Sequence, residues 1–104
     1  MRNVHLRSGL SNGFRNMAID RYLMELVRVG TMDFSLRTYG WKPACVSIGK
    51  LQDPFREIDV HSLWRDGYDV VRRPTGGRQV WHETELTYSV VARLDHPLVS
   101  GTVS

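Results

Sequence analysis

The spacing of apolar positions changes several times along the chain, and each change marks an element. Residues 4–7 alternate briefly and read as a short strand, ended by Ser8 and Gly9, with a loop running to Gly13. Residues 14–29 place Ile19, Tyr22, Leu23, Leu26 and Val27 at steps of three and four, which draws one apolar stripe on a helix. Asp20, Arg21, Glu25 and Arg28 take the opposite side, and Gly30 is a natural stop. A stripe of this kind is core packing. Residues 34–39 alternate again, Gly40-Trp41-Lys42-Pro43 turns the chain, and residues 44–49 continue extended. Asp53-Pro54 opens a second helix over residues 55–66, with Ile58, Val60, Leu63 and Trp64 as its apolar residues and Gly67 as its stop. His61 on that helix is a surface histidine.

From Tyr68 to Val91, two β-branched and aromatic runs flank the break Pro74-Thr75-Gly76-Gly77, so the local reading is strand, loop, strand. Residues 98–104 trail away with no helix or strand to dock on. The order strand, helix, two strands, helix, two strands predicts an α+β fold in α/β-type layers, a mixed sheet with helices packed on it.

Composition narrows the class without choosing a function. A chain of 104 residues is one domain at most. Hydrophobic and charged fractions of 41% and 24% are those of a globular protein, neither disordered nor fibrous. No apolar run is long enough to cross a bilayer, and the first residues carry no apolar leader. One cysteine, Cys45, excludes an internal disulfide and fits a reducing, cytoplasmic setting. The four histidines are scattered, so no Cys/His metal cluster is expected. The net charge of +3 comes from arginine, since Lys42 and Lys50 are the only lysines among 14 cationic residues. That bias suits bidentate anion contacts, or a basic surface for nucleic acid or an acidic protein.

The candidate chemistry sits in the Gly-Gly break. Arg72, Arg73 and Arg78 surround two adjacent glycines, which combines planar donor forks with a backbone that a ligand can approach closely. The loop is neither a G-x-x-x-x-G-K-[ST] phosphate loop nor a G-x-G-x-x-G fingerprint. On residue chemistry alone, an anion site and a plain hairpin with solvated arginines are equally good readings. Cys45, among Ala44, Val46 and Ile48 with no charged neighbour, reads as buried and inert. Arg37, Tyr39 and Trp41 offer a stacking platform for bases, although aromatic residues at a strand end belong more often to the core.

A resemblance separates the two loop readings. Arg72-Arg73-Pro74-Thr75-Gly76-Gly77-Arg78-x-Val80-x-His82, followed by Glu85-Leu86-Thr87-Tyr88-Ser89, resembles the signature of the lipoate–protein ligase, octanoyltransferase and biotin–protein ligase superfamily. Three further segments match in order: Asn16-Met17-Ala18-Ile19-Asp20; Tyr39-Gly40-Trp41-x-Pro43-Ala44 with Ser47-Ile48-Gly49; and His96-Pro97-Leu98-Val99-Ser100-Gly101. The last, with the Pro-Thr spelling of the loop, is most similar to the octanoyltransferases that work through a cysteine thioester.

The resemblance implies an enzyme that joins an octanoyl or lipoyl group to one lysine of an acceptor domain, of the E2 or glycine-cleavage H protein type. It implies no tightly bound cofactor. ATP and magnesium serve the ligase route, and octanoyl-acyl carrier protein or lipoate is the substrate. Arg72, Arg73, Thr75, Gly76, Gly77, Arg78, Gln79, Val80 and His82 are its substrate- or acyl-adenylate-binding residues. Gln79 stands where many members have alanine, and Glu83 where aspartate is usual. The family's later lysine and cysteine have no counterpart here, so no catalytic residue is expected within this chain. It reads as the N-terminal piece of a C-terminally truncated domain, inactive alone, with a second chain as one way to complete it. The alternatives are a non-catalytic acyl- or acyl-adenylate-binding module and, far behind, a small basic nucleic-acid-binding domain.

Overall fold

A computed structural model describes residues 2–97. Among the described residues six strands and three helices run in the order β1 (Asn3–Ser11), α1 (Gly13–Arg28), β2 (Phe34–Trp41), β3 (Cys45–Ile48), α2 (Pro54–Glu57), α3 (Val60–Arg65), β4 (Asp69–Arg72), β5 (Val80–His82) and β6 (Thr87–Ala92). The expected α+β class of mixed sheet and packed helices is what forms. There are two sheets rather than one, ordered β1-β2-β6 and β4-β3-β5. Each has one plan, a central strand with a parallel neighbour on one side and an antiparallel neighbour on the other. The chain crosses between them at Lys42–Ala44, where the Lys42–Pro43 peptide is cis.

Several elements differ from the sequence reading for local reasons. The first strand does not stop at Ser8. A bulge between Arg7 and Gly9, with Gly9 at φ 67°, absorbs one residue, and pairing continues to Ser11. The second helix is two short ones, because Asp59 acts as an N-cap and restarts the coil. Its carboxylate accepts the Ser62 amide at 3.1 Å and the Ser62 hydroxyl at 2.6 Å. The two runs flanking the Gly-Gly break are not hairpin partners either, since β3 lies between β4 and β5. The second run is itself divided, β5 joining one sheet and β6 the edge of the other. Residues 98–104, with the end of the last matched segment, lie outside the described residues.

Helix α1 begins where Asn12 caps it, its Oδ1 accepting the Arg15 amide at 2.8 Å. Its buried face is Gly13, Asn16, Met17, Asp20, Leu23 and Val27, turned from the apolar stripe the spacing suggests. Tyr22 is exposed and Asp20, assigned to solvent from the sequence, is buried. The cause is Arg37 on β2, which is wholly inaccessible. Its Nη1 donates to Asp20 Oδ1 at 2.8 Å and to the Asn16 carbonyl at 3.0 Å, its Nη2 to Asn16 Oδ1 at 2.7 Å, and its Nε to Ser8 Oγ at 2.9 Å. Asp20 also accepts the hydroxyls of Tyr39 and Ser89, at 3.1 and 2.9 Å. Leaving that charge unpaired would cost more than burial of the Tyr22 ring could offset, so the helix presents its polar residues to the sheet.

On either side of this ion pair lie two apolar clusters, Met17 with Tyr39, Trp41, Cys45 and Val71, and Leu23 with Val27 and Met32. Gly13 lets the helix start touch the second sheet, since a Cβ there would meet Cys45 Sγ at 2.5 Å. Among the described residues no helix is long and apolar enough to cross a membrane. Asp20→Ala leaves the Arg37 charge buried without its carboxylate, and about 3–5 kcal/mol of stability is expected to go with it. Tyr22→Ala, on the exposed side, is expected to stay within about 0.5 kcal/mol; urea unfolding of both variants compares the two costs directly.

Candidate functional site

The loop between β4 and β5 is built by two arginines that turn inward. Arg72 Nη1 donates to the carbonyls of Gly49, Lys50 and Gln52, at 3.2, 3.0 and 2.8 Å, and so ties down the turn after β3. Arg73 reaches both sides of the bend: Nη1 donates to the Ser47 carbonyl and hydroxyl, at 3.0 and 2.8 Å, and Nη2 to the carbonyls of Gly76 and Arg78, at 2.9 and 2.8 Å. The Thr75 carbonyl accepts the Lys50 amide at 2.8 Å. With the carbonyls of Thr75, Gly76 and Arg78 directed into the protein, peptide planarity directs the amides of Gly76, Gly77 and Gln79 outward.

Glycine is required at two positions of this bend. Gly77 has φ 99°. Gly49 meets it across the fold: a Cβ on Gly49 would lie 1.9 Å from the Gly77 carbonyl oxygen. Backbone therefore packs on backbone, which joins the Ser47-Ile48-Gly49 segment to the Gly-Gly bend.

Arg73, Pro74 and Thr75 border a cleft of about 440 Å³ that runs between α1 and the open edge of β6. Met17, Trp41 and His82 line it beside the loop, Asp20, Tyr39 and Ser89 along its middle, and Met24 with Val91 further on. The wall is mostly apolar, with a polar floor where Asp20 meets Ser89. Among the described residues no carboxylate pairs with Arg73, and burial pushes its guanidinium below the ordinary value. A half-buried cation thus stands at one end of a greasy cleft.

Of the predicted site residues, Arg73, Thr75 and His82 line the cleft. Gly76, Gly77 and Arg78 form the exposed outer bend. Arg72 is spent on the turn after β3. Gln79 is held by the Gln52 side chain and borders a separate depression under α3, away from the cleft. Val80 is exposed. Of the arginines a basic nucleic-acid surface would draw on, Arg37 is buried and Arg72 and Arg73 are bound to carbonyls. Cys45 is inert, fully inaccessible, with burial first and then Asp69 and Glu85 pushing its thiol up to about 12.

The sequence reading misses what surrounds His82. The ring is buried, stacked on Trp41 with centroids 4.0 Å apart and planes 13° apart. Its Nε2 lies 2.8 Å from Ser47 Oγ and its Nδ1 2.8 Å from Glu85 Oε2. Glu85 also accepts the Thr87 hydroxyl at 2.9 Å and the Glu83 amide at 2.9 Å. Burial opposes ionisation of Glu85, but the hydrogen bonds from His82, Thr87 and the Glu83 amide outweigh it and hold the carboxyl below its ordinary value. Glu85 stands three residues after His82, a spacing that alone does not distinguish a partner from a solvated acid.

With this geometry in place, comparison with known proteins is decisive. Residues 12–103 match the lipoyl protein ligase A/B catalytic domain. The chain belongs to that family. An octanoyltransferase LipM of Moorella thermoacetica is 45% identical over 98 residues, covering 94% of this chain and 36% of its own length. The chain thus spans about a third of the curated relative it matches. The crystal structure of a lipoate-protein ligase A bound with ATP superposes with a TM-score of 0.78 at 27% identity, covering 98% of this chain and 41% of that one. A bi-partite lipoate protein ligase, described with its E2 lipoyl domain from Thermoplasma acidophilum, gives a TM-score of 0.75 at 26% identity, covering 97% of this chain and 40% of that one.

Two measurements test the site's construction. Gly49→Ala forces the Gly77 carbonyl away and is expected to cost about 1–3 kcal/mol, whereas Gly76, whose added Cβ meets nothing within 4 Å, tolerates alanine; thermal unfolding of the pair separates them. Cys45 should resist alkylation in the native protein and react once it is unfolded. Its raised value means the folded state holds the thiol proton more tightly, so this contribution to stability is whole below pH 9.0 and is lost as pH climbs toward about 12.

Proposed function

We propose that the chain is the acyl-holding part of an enzyme that transfers an octanoyl or lipoyl group to a specific lysine of an acceptor domain. One observation carries this reading: the Arg73-Pro74-Thr75 limb that leads into the Gly-Gly bend stands at the end of an apolar cleft, and its guanidinium has no carboxylate partner among the described residues. The cleft takes the tail. Burying each methylene of a fatty chain there favours binding by about 0.8 kcal/mol. The outward amides of Gly76 and Gly77, just past the Thr75 rim, meet the head together with Arg73, donating to a carbonyl or phosphate oxygen as charge develops on it. His82 borders the head end from its stacked position on Trp41.

The curated relative's name favours octanoyl transfer, in which octanoyl-acyl carrier protein delivers the acyl group. In the ligase route ATP and magnesium bring an adenylate to the same donors, and lipoate is then the acid. The acceptor is of the E2 or glycine-cleavage H protein type, and the lone buried thiol fits a cytoplasmic setting. Within this chain the residues bind and orient. Cys45 is inaccessible and Ser47 fully covered, so neither attacks an acyl carbon. That observation favours a binding role for these residues, with the transferring groups outside them.

Amide and methionine-methyl NMR of the purified chain, titrated with octanoate and with a non-hydrolysable octanoyl-adenylate analogue, tests the reading. The Met17 and Met24 methyls should shift with both ligands, and the Gly76 and Gly77 amides most with the adenylate. Shifts confined to the depression under α3, or none, would remove the assignment. Octanoyl transfer to a lipoyl domain by this chain alone is expected to be undetectable, and measurable transfer would overturn the division between binding and chemistry.

A further inference from the structure

Ser47, His82 and Glu85 stand in a line with the spacing of a serine–histidine–acid triad, yet Ser47 is wholly inaccessible and meets no substrate. The use of the line follows from its ends. Arg73 can only donate, and its Nη1 donates to Ser47 Oγ at 2.8 Å. Ionised Glu85 can only accept, and its Oε2 lies 2.8 Å from His82 Nδ1. One arrangement of protons satisfies every group between them. Nδ1–H donates to Glu85, the Ser47 hydroxyl donates to the bare Nε2, and the Ser47 oxygen is left to receive Arg73. The other tautomer would set a ring lone pair against a carboxylate oxygen and displace the Ser47 proton from its acceptor.

The same directionality continues on the far side. Trp41 Nε1 donates to Thr87 Oγ1 at 2.8 Å, and the Thr87 hydroxyl donates to Glu85 Oε2. Glu85 is thus where two hydrogen-bonded chains end, one from the cleft wall and one from the loop. The groups facing the His82 ring are Glu85 from the turn after β5, Ser47 and Cys45 from β3, and the Trp41 indole from β2. Arg73 acts on the ring through Ser47.

We propose that Glu85 and Ser47 are positioning residues for the Gly-Gly loop: Glu85 fixes the proton on His82 Nδ1, His82 turns the Ser47 hydroxyl, and the Ser47 oxygen holds Arg73 against the carbonyls of Gly76 and Arg78. The inference rests on the acyl-transfer reading for what the loop holds. The line itself needs no ligand, so its test does not depend on octanoyl binding.

Long-range nitrogen–proton NMR of histidine-labelled chain reports the tautomer directly. Neutral His82 is expected in the Nδ1–H form, and an Nε2–H ring in the unaltered chain would overturn the proposal before any variant is made. Glu85→Leu, which removes the acceptor, should convert the ring to Nε2–H and move the Gly76 and Gly77 amide resonances together with it. Glu85→Gln keeps an acceptor oxygen and should restore both. Ser47→Ala should move the two glycine amides while the ring stays Nδ1–H. Glycine amides that remain fixed while the tautomer changes, or a Glu85→Gln chain that behaves like Glu85→Leu, would overturn the coupling. Failure of octanoate to bind, with these responses intact, would count against the acyl reading alone.

Discussion

The Arg37 guanidinium decides how the first half of the molecule is assembled. It sits on the central strand of one sheet, closed off from water, and its four donated bonds reach β1 through Ser8 and α1 through Asn16 and Asp20. Asp20 carries the connection on to Tyr39 and to Ser89 of β6. The guanidinium also lies over the Tyr39 ring, 3.8 Å from its centroid. A charge at this depth is tolerable only if every one of these partners is in place. Helix orientation, strand register and the floor of the cleft are therefore set together. The Asn16-Met17-Ala18-Ile19-Asp20 segment fixes the helix for this reason, and its polar residues point at the sheet.

The loop follows the same logic on a smaller scale. Cations inside a protein are placed against carbonyl oxygens when no carboxylate is near, and Arg72 and Arg73 use that option in two directions. Their effect is to orient peptides. Once the carbonyls are taken, the bend shows its donors to the outside, which a flexible glycine turn would do only part of the time. Gly49 and Gly77 let the two strand ends come within backbone contact, so the bend is braced by β3 rather than held on a loose hinge.

The first helix and the inert thiol are legible from sequence because the signals that mark them are local, the spacing of apolar residues in one case and the apolar flanks of Cys45 in the other. The α+β class is legible for the same reason. What escapes depends on distant partners. Hydrophobic periodicity places Asp20 outside because it scores each residue by its own polarity, and only β2 reveals that an arginine waits opposite. The Gly-Gly break reads as strand, loop, strand, with a hairpin as one of its two readings, because the runs on either side are close in sequence, and nothing local says that β3 will come between them. Residues 55–66 read as one helix because their apolar positions keep their spacing across Asp59, whose preference for capping ends one coil and begins another. The Ser47–His82–Glu85 line combines a contact three residues away with one 35 residues away, and the longer one leaves no mark on the spacing.

Among the described strands β6 comes last in the chain, yet it forms one side of the cleft. Its register with β2 joins Thr87 to Tyr39 and Ala92 to Phe34, and its hydroxyl at Ser89 reaches back 69 positions to Asp20. During synthesis, β1, α1 and β2 are complete long before that strand appears, and Arg37 must meanwhile hold its charge with one partner of Asp20 still missing. Closing so distant a pairing is the slow part of folding for a sheet protein. Completion of the cleft and the pairing of β6 with β2 are thus one event, and the Arg37-centred core of β1, α1 and β2 precedes both.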